Sequence, residues 1–166
     1  MKIAVGPLQL DVPFDTAGPF MPAMGIAIGP ADQMEAVPMA GIAALTKVAK
    51  RAYRRTLSST CVVLDDGADE VEAVVGELRR LSAALRASIT AEEQGTVAGR
   101  TAAIVELQHT DGSLPILTQA AVFCANGVLH TIALSSLNGP KAADARKQFR
   151  GTLAKVSAFG DPKPKT

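Results

Sequence analysis

Apolar and polar residues alternate most regularly in the second half of the chain, where they predict two consecutive β-hairpins. Strand-like runs cover residues 101–109, 116–125 and 128–137, and the pairs Asp111-Gly112 and Asn126-Gly127 separate them. Asn-Gly between two apolar runs is typical of a two-residue type I′ turn. That turn fixes the register, in which Ala125 pairs with Val128, Cys124 with Leu129 and Phe123 with His130.

A helical period is clearest immediately before these hairpins. Its apolar positions are Val71, Val74, Val75, Leu78, Leu81, Leu85 and Ile89. Asp66 or Asp69 can cap this helix, because a short acidic side chain accepts hydrogen bonds from the first free backbone amides. Residues 89–97 extend from it as a polar strand, and Gly99 allows a tight turn into the next strand.

Two further helices are predicted, one on each side of this region. Residues 41–55 have apolar residues at helical spacing, and residues 60–64 follow as a short β-branched strand. After the hairpins, Pro140 suits the first turn of a last helix, with Asn138 as its cap. The buried stripe of that helix would be Ala142, Ala145, Phe149, Leu153 and Val156.

The first third of the chain is irregular and rich in proline and methionine. Residues 8–12 alternate as a strand that ends at Pro13, and the prolines that follow restrict later strands to short pieces such as residues 23–28. Clustered methionines make an adaptable apolar surface. We therefore predict partner binding here, with core filling as the alternative, at Met21, Met24, Ile26, Ile28, Met34 and Met39.

These elements predict one α+β domain over residues 1–160, an antiparallel β-sheet flanked by helices (an α/β/α sandwich), and a flexible tail at residues 161–166. The chain has 166 residues and 48% hydrophobic residues, which is enough for a sizeable core. No apolar run approaches the roughly 20 residues of a membrane span. The start of the chain has no export signal, so we expect a cytoplasmic protein.

Charge is balanced, since 17 basic and 16 acidic residues leave a net charge of +1. This argues against a broad surface for nucleic acid. One helix face is basic, and it is either a solvated face or a docking patch: Lys47, Lys50, Arg51, Arg54 and Arg55. Only Tyr53 could stack on a base there, so no nucleic-acid partner is expected.

The residues that could carry catalysis do not form a site in this register. Cys61 and Cys124 lie far apart in apolar runs, which favours buried free thiols. Cys124 and His130 belong to neighbouring cross-strand pairs, so their side chains point to opposite faces of the sheet. His109 and His130 have no third ligand at matching spacing. We predict no catalytic residue, no metal site and no cofactor.

The order of elements resembles the PsbP/Mog-like superfamily, which includes the DcrB-like proteins and the Eag chaperones of type VI secretion effectors. The resemblance lies in Leu8-Gln9-Leu10-Asp11-Val12-Pro13, and in the run from Val97 to Leu107 that leads to Gln119-Ala120-Ala121-Val122-Phe123. It implies an antiparallel sheet flanked by helices.

Together these observations predict a non-enzymatic protein-binding domain. We expect a chaperone or adaptor for a secretion-system effector or another membrane-directed client, without stable membrane insertion and with a homo-oligomer left open. The alternative is a small-ligand-binding protein or an enzyme with a pocket between the sheet and the helices.

Overall fold

The computed structural model describes residues 55–158 in full and, before them, the backbone of short strands. The elements in chain order are β1 (Lys2–Val5), β2 (Leu8–Asp11), β3 (Met21–Ala23), β4 (Ile26–Ile28), β5 (Glu35–Met39), β6 (Ile42–Thr46), β7 (Thr56–Val63), α1 (Glu70–Leu85), β8 (Ser88–Val97), β9 (Arg100–Asp111), β10 (Leu114–Ala125), β11 (Val128–Leu137), α2 (Ala142–Leu153) and β12 (Val156–Ala158).

The main sheet is antiparallel, in the order β5-β6-β7-β11-β10-β9-β8. The predicted hairpin register is confirmed, because Ala125 pairs with Val128 and Phe123 with His130. Asn126 and Gly127 have φ angles of 52° and 76°, the left-handed values that a type I′ turn requires. Two smaller sheets, β1-β2 and β12-β4-β3, complete the pairing that the structure describes.

The two helices cover opposite faces of the main sheet, which confirms the predicted α/β/α sandwich. Alternate residues of β10 divide between two cores. Ala120, Val122 and Cys124 pack with Leu78 of α1. Ala121, Phe123 and Ala125 pack with Ala145, Phe149 and Leu153 of α2. We call these sides of the sheet the α1 face and the α2 face.

Ion pairs connect α2 to the sheet. Arg146 donates to both carboxylate oxygens of Glu106 on β9, at 2.6 and 3.0 Å. These bonds hold the pKa of Glu106 below its usual value, while partial burial opposes them. Arg150 forms an ion pair with Glu93 on β8. The helix therefore binds the sheet through ion pairs along one flank and through the apolar core.

Three sequence predictions are corrected here. Residues 42–46 are strand β6, which pairs with β7, where a helix over residues 41–55 is predicted. Residues 42–45 are all apolar, and so short an apolar run fits a strand as well as a helix. Pairing with β7 then overrides the helical spacing. Asn138 does not cap α2, whose N-cap is Lys141 and has no side-chain cap bond. Ile89 lies in β8.

The capping prediction for α1 is confirmed at Asp69. Its carboxylate accepts hydrogen bonds from the backbone amides of Val71 at 2.8 Å and Glu72 at 3.1 Å. We expect Asp69→Ala to lower the free energy of unfolding by about 1 kcal/mol, measured by urea denaturation. The matched control is Asp66→Ala in the exposed turn, which should change it by less than about 0.5 kcal/mol. Equal losses in the two variants would contradict this assignment.

Candidate functional site

A groove of about 640 Å³ lies on the α1 face, between α1 and the β8–β9 hairpin. Its first wall is the flank of α1: Glu70, Val71, Val74, Val75 and Leu78. Its second wall is the edge of the sheet: Glu92, Glu93 and Gln94. Its floor and end come from β9, β10 and the turn before β9: Gly99, Arg100, Thr101, Ala102, Ala103 and Cys124.

The sheet covers only part of the apolar stripe of α1. Leu78 packs against the sheet, and Val74 and Leu81 lie half-buried beside it. Val71 is 74% exposed and Val75 is 39% exposed, although both are among the apolar positions of the predicted helix. These two valines present an apolar surface to the groove. No sequence signal distinguishes these two positions, since Val74 of the same helix is also a valine and is half-buried.

The groove carries an acidic group on each of its two walls. Glu70 is in the first turn of α1, and Glu92 is on β8. Neither side chain forms an ion pair with another of the described residues. Arg100, the basic residue of the lining, donates to the side chain of Asn126 at 3.3 Å. The opening therefore combines apolar side chains with a negative rim.

Cys124 lies in the groove floor but is unsuited to nucleophilic chemistry. Its side chain is buried, and its sulfur is 3.9 Å from the carbonyl oxygen of Glu70. Burial raises the pKa of the Cys124 thiol, and the nearby Glu70 charge raises it further, so the thiolate is disfavoured. Both cysteines are free thiols, as predicted, but only Cys124 is buried, whereas Cys61 is half-buried.

His130 lies on the opposite side of the sheet from Cys124, as the register predicts. Its ring stacks on Phe123, with the centroids 5.3 Å apart. It is fully buried, and neither ring nitrogen has a hydrogen-bond partner among the described residues. Burial lowers the pKa of His130 to about 4, so the ring is neutral at pH 7. Cys61 of β7 is its direct cross-strand neighbour, a pairing that the sequence prediction missed.

His109 belongs to a separate hydroxyl network. Its Nε2 is 3.0 Å from the Thr118 hydroxyl, which is 2.8 Å from the Ser135 hydroxyl. No group of three or more metal-ligating side chains occurs within the part of the chain that the structure describes. In the same part, no helix has the length and apolar character needed to cross a membrane.

Most of the site residues predicted from sequence lie outside the residues whose side chains the structure describes. Met21, Ile26, Ile28 and Met39 lie in the short strands β3, β4 and β5, of which the structure describes the backbone, and Met24 and Met34 lie outside the described residues. Lys47, Lys50, Arg51 and Arg54 are also outside them. Both surfaces remain predictions.

Arg55 is the one residue of the predicted basic face whose side chain the structure describes. Its guanidinium donates to Asp144 at 3.0 Å and to Gln148 at 2.5 Å, both on α2. Only 13% of the side chain is exposed. Arg55 therefore connects the start of β7 to α2.

Known proteins match this chain in structure but not in sequence. No protein-family model matches the sequence, and no curated protein is significantly similar to it. Among solved structures, cyanobacterial PsbP (CyanoP) from Synechocystis superimposes with a TM-score of 0.61 at 14% identity, covering 93% of this chain and 100% of that one. The fold is PsbP-like.

Two other solved structures share this fold. A protein of unknown function from Pseudomonas aeruginosa matches with a TM-score of 0.55 at 13% identity, over 99% of this chain and 98% of that one. A Bacteroides thetaiotaomicron protein matches with a TM-score of 0.59 at 7% identity over 83% of this chain. This chain spans 46% of the Bacteroides protein. Identities this low establish a shared fold, and function must be argued from the site.

Proposed function

We propose that this protein is a non-enzymatic binding domain that holds a segment of another protein in the groove between α1 and the β8–β9 hairpin. The exposed pair Val71 and Val75 carries the proposal. Two valines on the outer flank of a helix, facing an open groove, are suited to receive apolar side chains of a partner. The client would be a secreted or membrane-directed protein for which this domain acts as a chaperone or adaptor.

The charge of the groove rim narrows the class of partner. Glu70 and Glu92 flank the valines, so a segment that presents both apolar and basic side chains to the groove complements this surface better than an acidic one. The chemistry of the lining supports binding over catalysis, since the Cys124 thiol is buried with a raised pKa. His130 lies on the other face of the sheet.

A second candidate function is the binding of a small molecule. The observation that favours it is the groove volume of about 640 Å³, which falls in the range of small-ligand sites. A protein segment fits the open shape of this groove better, because two of its apolar wall residues are substantially exposed.

The test is a matched pair of valine substitutions in the full chain. We expect Val71→Asp to abolish recovery of the partner in affinity purification from cells that express the gene natively, because covering a carboxylate with the partner's apolar side chains costs its hydration and removes the apolar contact. Asp is favourable in the first turn of a helix, so α1 should still form.

The control is Val63→Asp, at a site on β7 that is 60% exposed and lies outside the groove. It should retain the partner. Loss of the partner in both variants, or in neither, would exclude the groove as the binding site.

A further inference from the structure

The outer strand β8 borders the groove at Glu92, Glu93 and Gln94. β8 is the last strand in the order of the main sheet, and the residues from Ser88 to Gln94 are all exposed. An edge strand presents backbone N–H and C=O groups that can pair with an added strand. The groove therefore offers backbone hydrogen bonds beside its apolar wall.

The hairpin register identifies which backbone groups face outward. Val97 pairs with Arg100 across the two-residue turn Ala98-Gly99, so these two residues exchange the hydrogen bonds that close the hairpin. Bonded and non-bonded pairs then alternate along an antiparallel ladder. The backbone groups of Val97, Gly95 and Glu93 bond to β9. Those of Thr96, Gln94 and Glu92 face outward.

Side-chain direction alternates with the same period, so the residues whose backbone groups face outward also direct their side chains to one face of the sheet. Gly95 lies opposite Ala102, and Glu93 opposite Ile104, both of the α2-face core. Thr96, Gln94 and Glu92 consequently project toward the α1 face, where Glu92 and Gln94 line the groove. A strand added to this edge would bond to these residues and project alternate side chains toward Val71 and Val75.

The acidic residues of β8 favour a cationic strand over a second copy of β8 as the strand that pairs with this edge. Glu93 is already paired with Arg150, whereas Glu92 has no ion-pair partner among the described residues. Two copies of β8 paired edge to edge would bring Glu92 and Glu93 of both chains together, which opposes self-association. A register irregularity between Ile89 and Ala91 also interrupts the edge. A cationic strand meets no such repulsion.

We infer that the partner binds as an extended strand that pairs with the β8 edge. Its basic and apolar side chains face the groove, and the small polar side chains between them face away from it. This inference rests on the proposed function and adds the conformation and chemistry of the partner. Backbone pairing supplies affinity that depends little on the partner's sequence, and the groove supplies selectivity.

The probe is the peptide acetyl-Thr-Lys-Thr-Val-Thr-Val-Thr-Lys-Thr-amide, titrated into the full-length protein by calorimetry. Its valines and lysines share one face of the strand. We expect saturable binding that weakens about tenfold when both lysines are replaced by glutamate, a change of about 1.4 kcal/mol. Absence of binding, or equal binding of the two peptides, would overturn the inference.

Two changes to the backbone test strand pairing itself. Gln94→Pro removes one outward N–H and leaves the β8–β9 ladder intact, since edge strands tolerate proline at such positions. We expect it to weaken binding about tenfold, whereas Gln94→Ala retains binding. A peptide N-methylated at the alternate residues whose N–H groups face β8 should bind the unmodified protein at least about tenfold more weakly. This tests strand pairing without any change to the protein.

The outcomes separate this inference from the proposed function. If the N-methylated peptide and the Gln94→Pro variant bind normally while Val71→Asp abolishes binding, the groove binds its partner without strand addition and the inference is wrong. If none of the three changes alters the affinity for the peptide, the peptide does not occupy the groove, and the inference is wrong. The proposed function is then judged independently, by whether Val71→Asp and Val63→Asp differ in partner recovery.

Discussion

Phe149→Ala is expected to lower the free energy of unfolding by about 3–5 kcal/mol, the largest effect of any substitution considered for this protein. Phe149 is fully buried in the core that joins α2 to the sheet, with Phe123, Ile132 and Leu134. Truncation removes most of an aromatic side chain and leaves a cavity that the rigid strands cannot fill. Urea denaturation followed by circular dichroism measures the loss.

Two further variants keep this prediction testable if the truncated protein is too unstable to measure. Phe149→Leu should lose clearly less stability, because it retains much of the apolar volume. Val71→Ala, at a side chain that is 74% exposed, should change stability by less than about 0.5 kcal/mol. A loss below about 1 kcal/mol for Phe149→Ala would show that α2 is not packed as described.

His130 is expected to make stability fall by about 3 kcal/mol as pH is lowered from 7 to 4. Its pKa is about 4 in the folded protein because of burial, against an ordinary value of 6.5 in the unfolded chain. Between these values the unfolded chain binds the proton and the folded protein does not, so acidification favours unfolding. The loss begins near pH 6.5 and levels off below about pH 4.

The measurement is the free energy of unfolding against pH for the unmodified protein and for His130→Leu. Other groups add to the pH dependence, including Glu106, whose pKa is lowered by Arg146, so that its contribution is lost at low pH. They contribute equally to both proteins and cancel in the difference between the curves. Over this interval the unmodified protein should lose about 3 kcal/mol of stability relative to His130→Leu. Parallel curves would mean that His130 is solvated or hydrogen-bonded in the folded state.

Local sequence signals predicted the hairpins and the start of α1 because those features are determined by neighbouring residues. Asn126-Gly127 readily adopts the left-handed backbone conformation of a type I′ turn, and this alone aligns Phe123 with His130. Asp69 caps α1 through amides two and three residues away. Each of these features involves contacts within a few residues along the chain.

Features that depend on distant contacts were missed or misassigned. Residues 42–46 pair with β7, and this pairing decides the structure of a short apolar run that local spacing alone cannot assign to a helix or a strand. The groove likewise depends on where α1 lies across the sheet. The stripe on α1 predicts burial for Val71 and Leu78 alike, but only the packed structure shows that Leu78 is covered and Val71 is not.

The central claim is that the β8 edge and the adjoining groove bind a cationic, apolar strand, and amide hydrogen exchange by NMR tests it most directly. With saturating lysine-containing peptide, exchange should slow at least about tenfold at the amides of Glu92, Gln94 and Thr96. Exchange at Glu93 and Gly95, which already bond to β9, should change much less. Unchanged exchange at the three outward amides, with the peptide bound, would contradict the account.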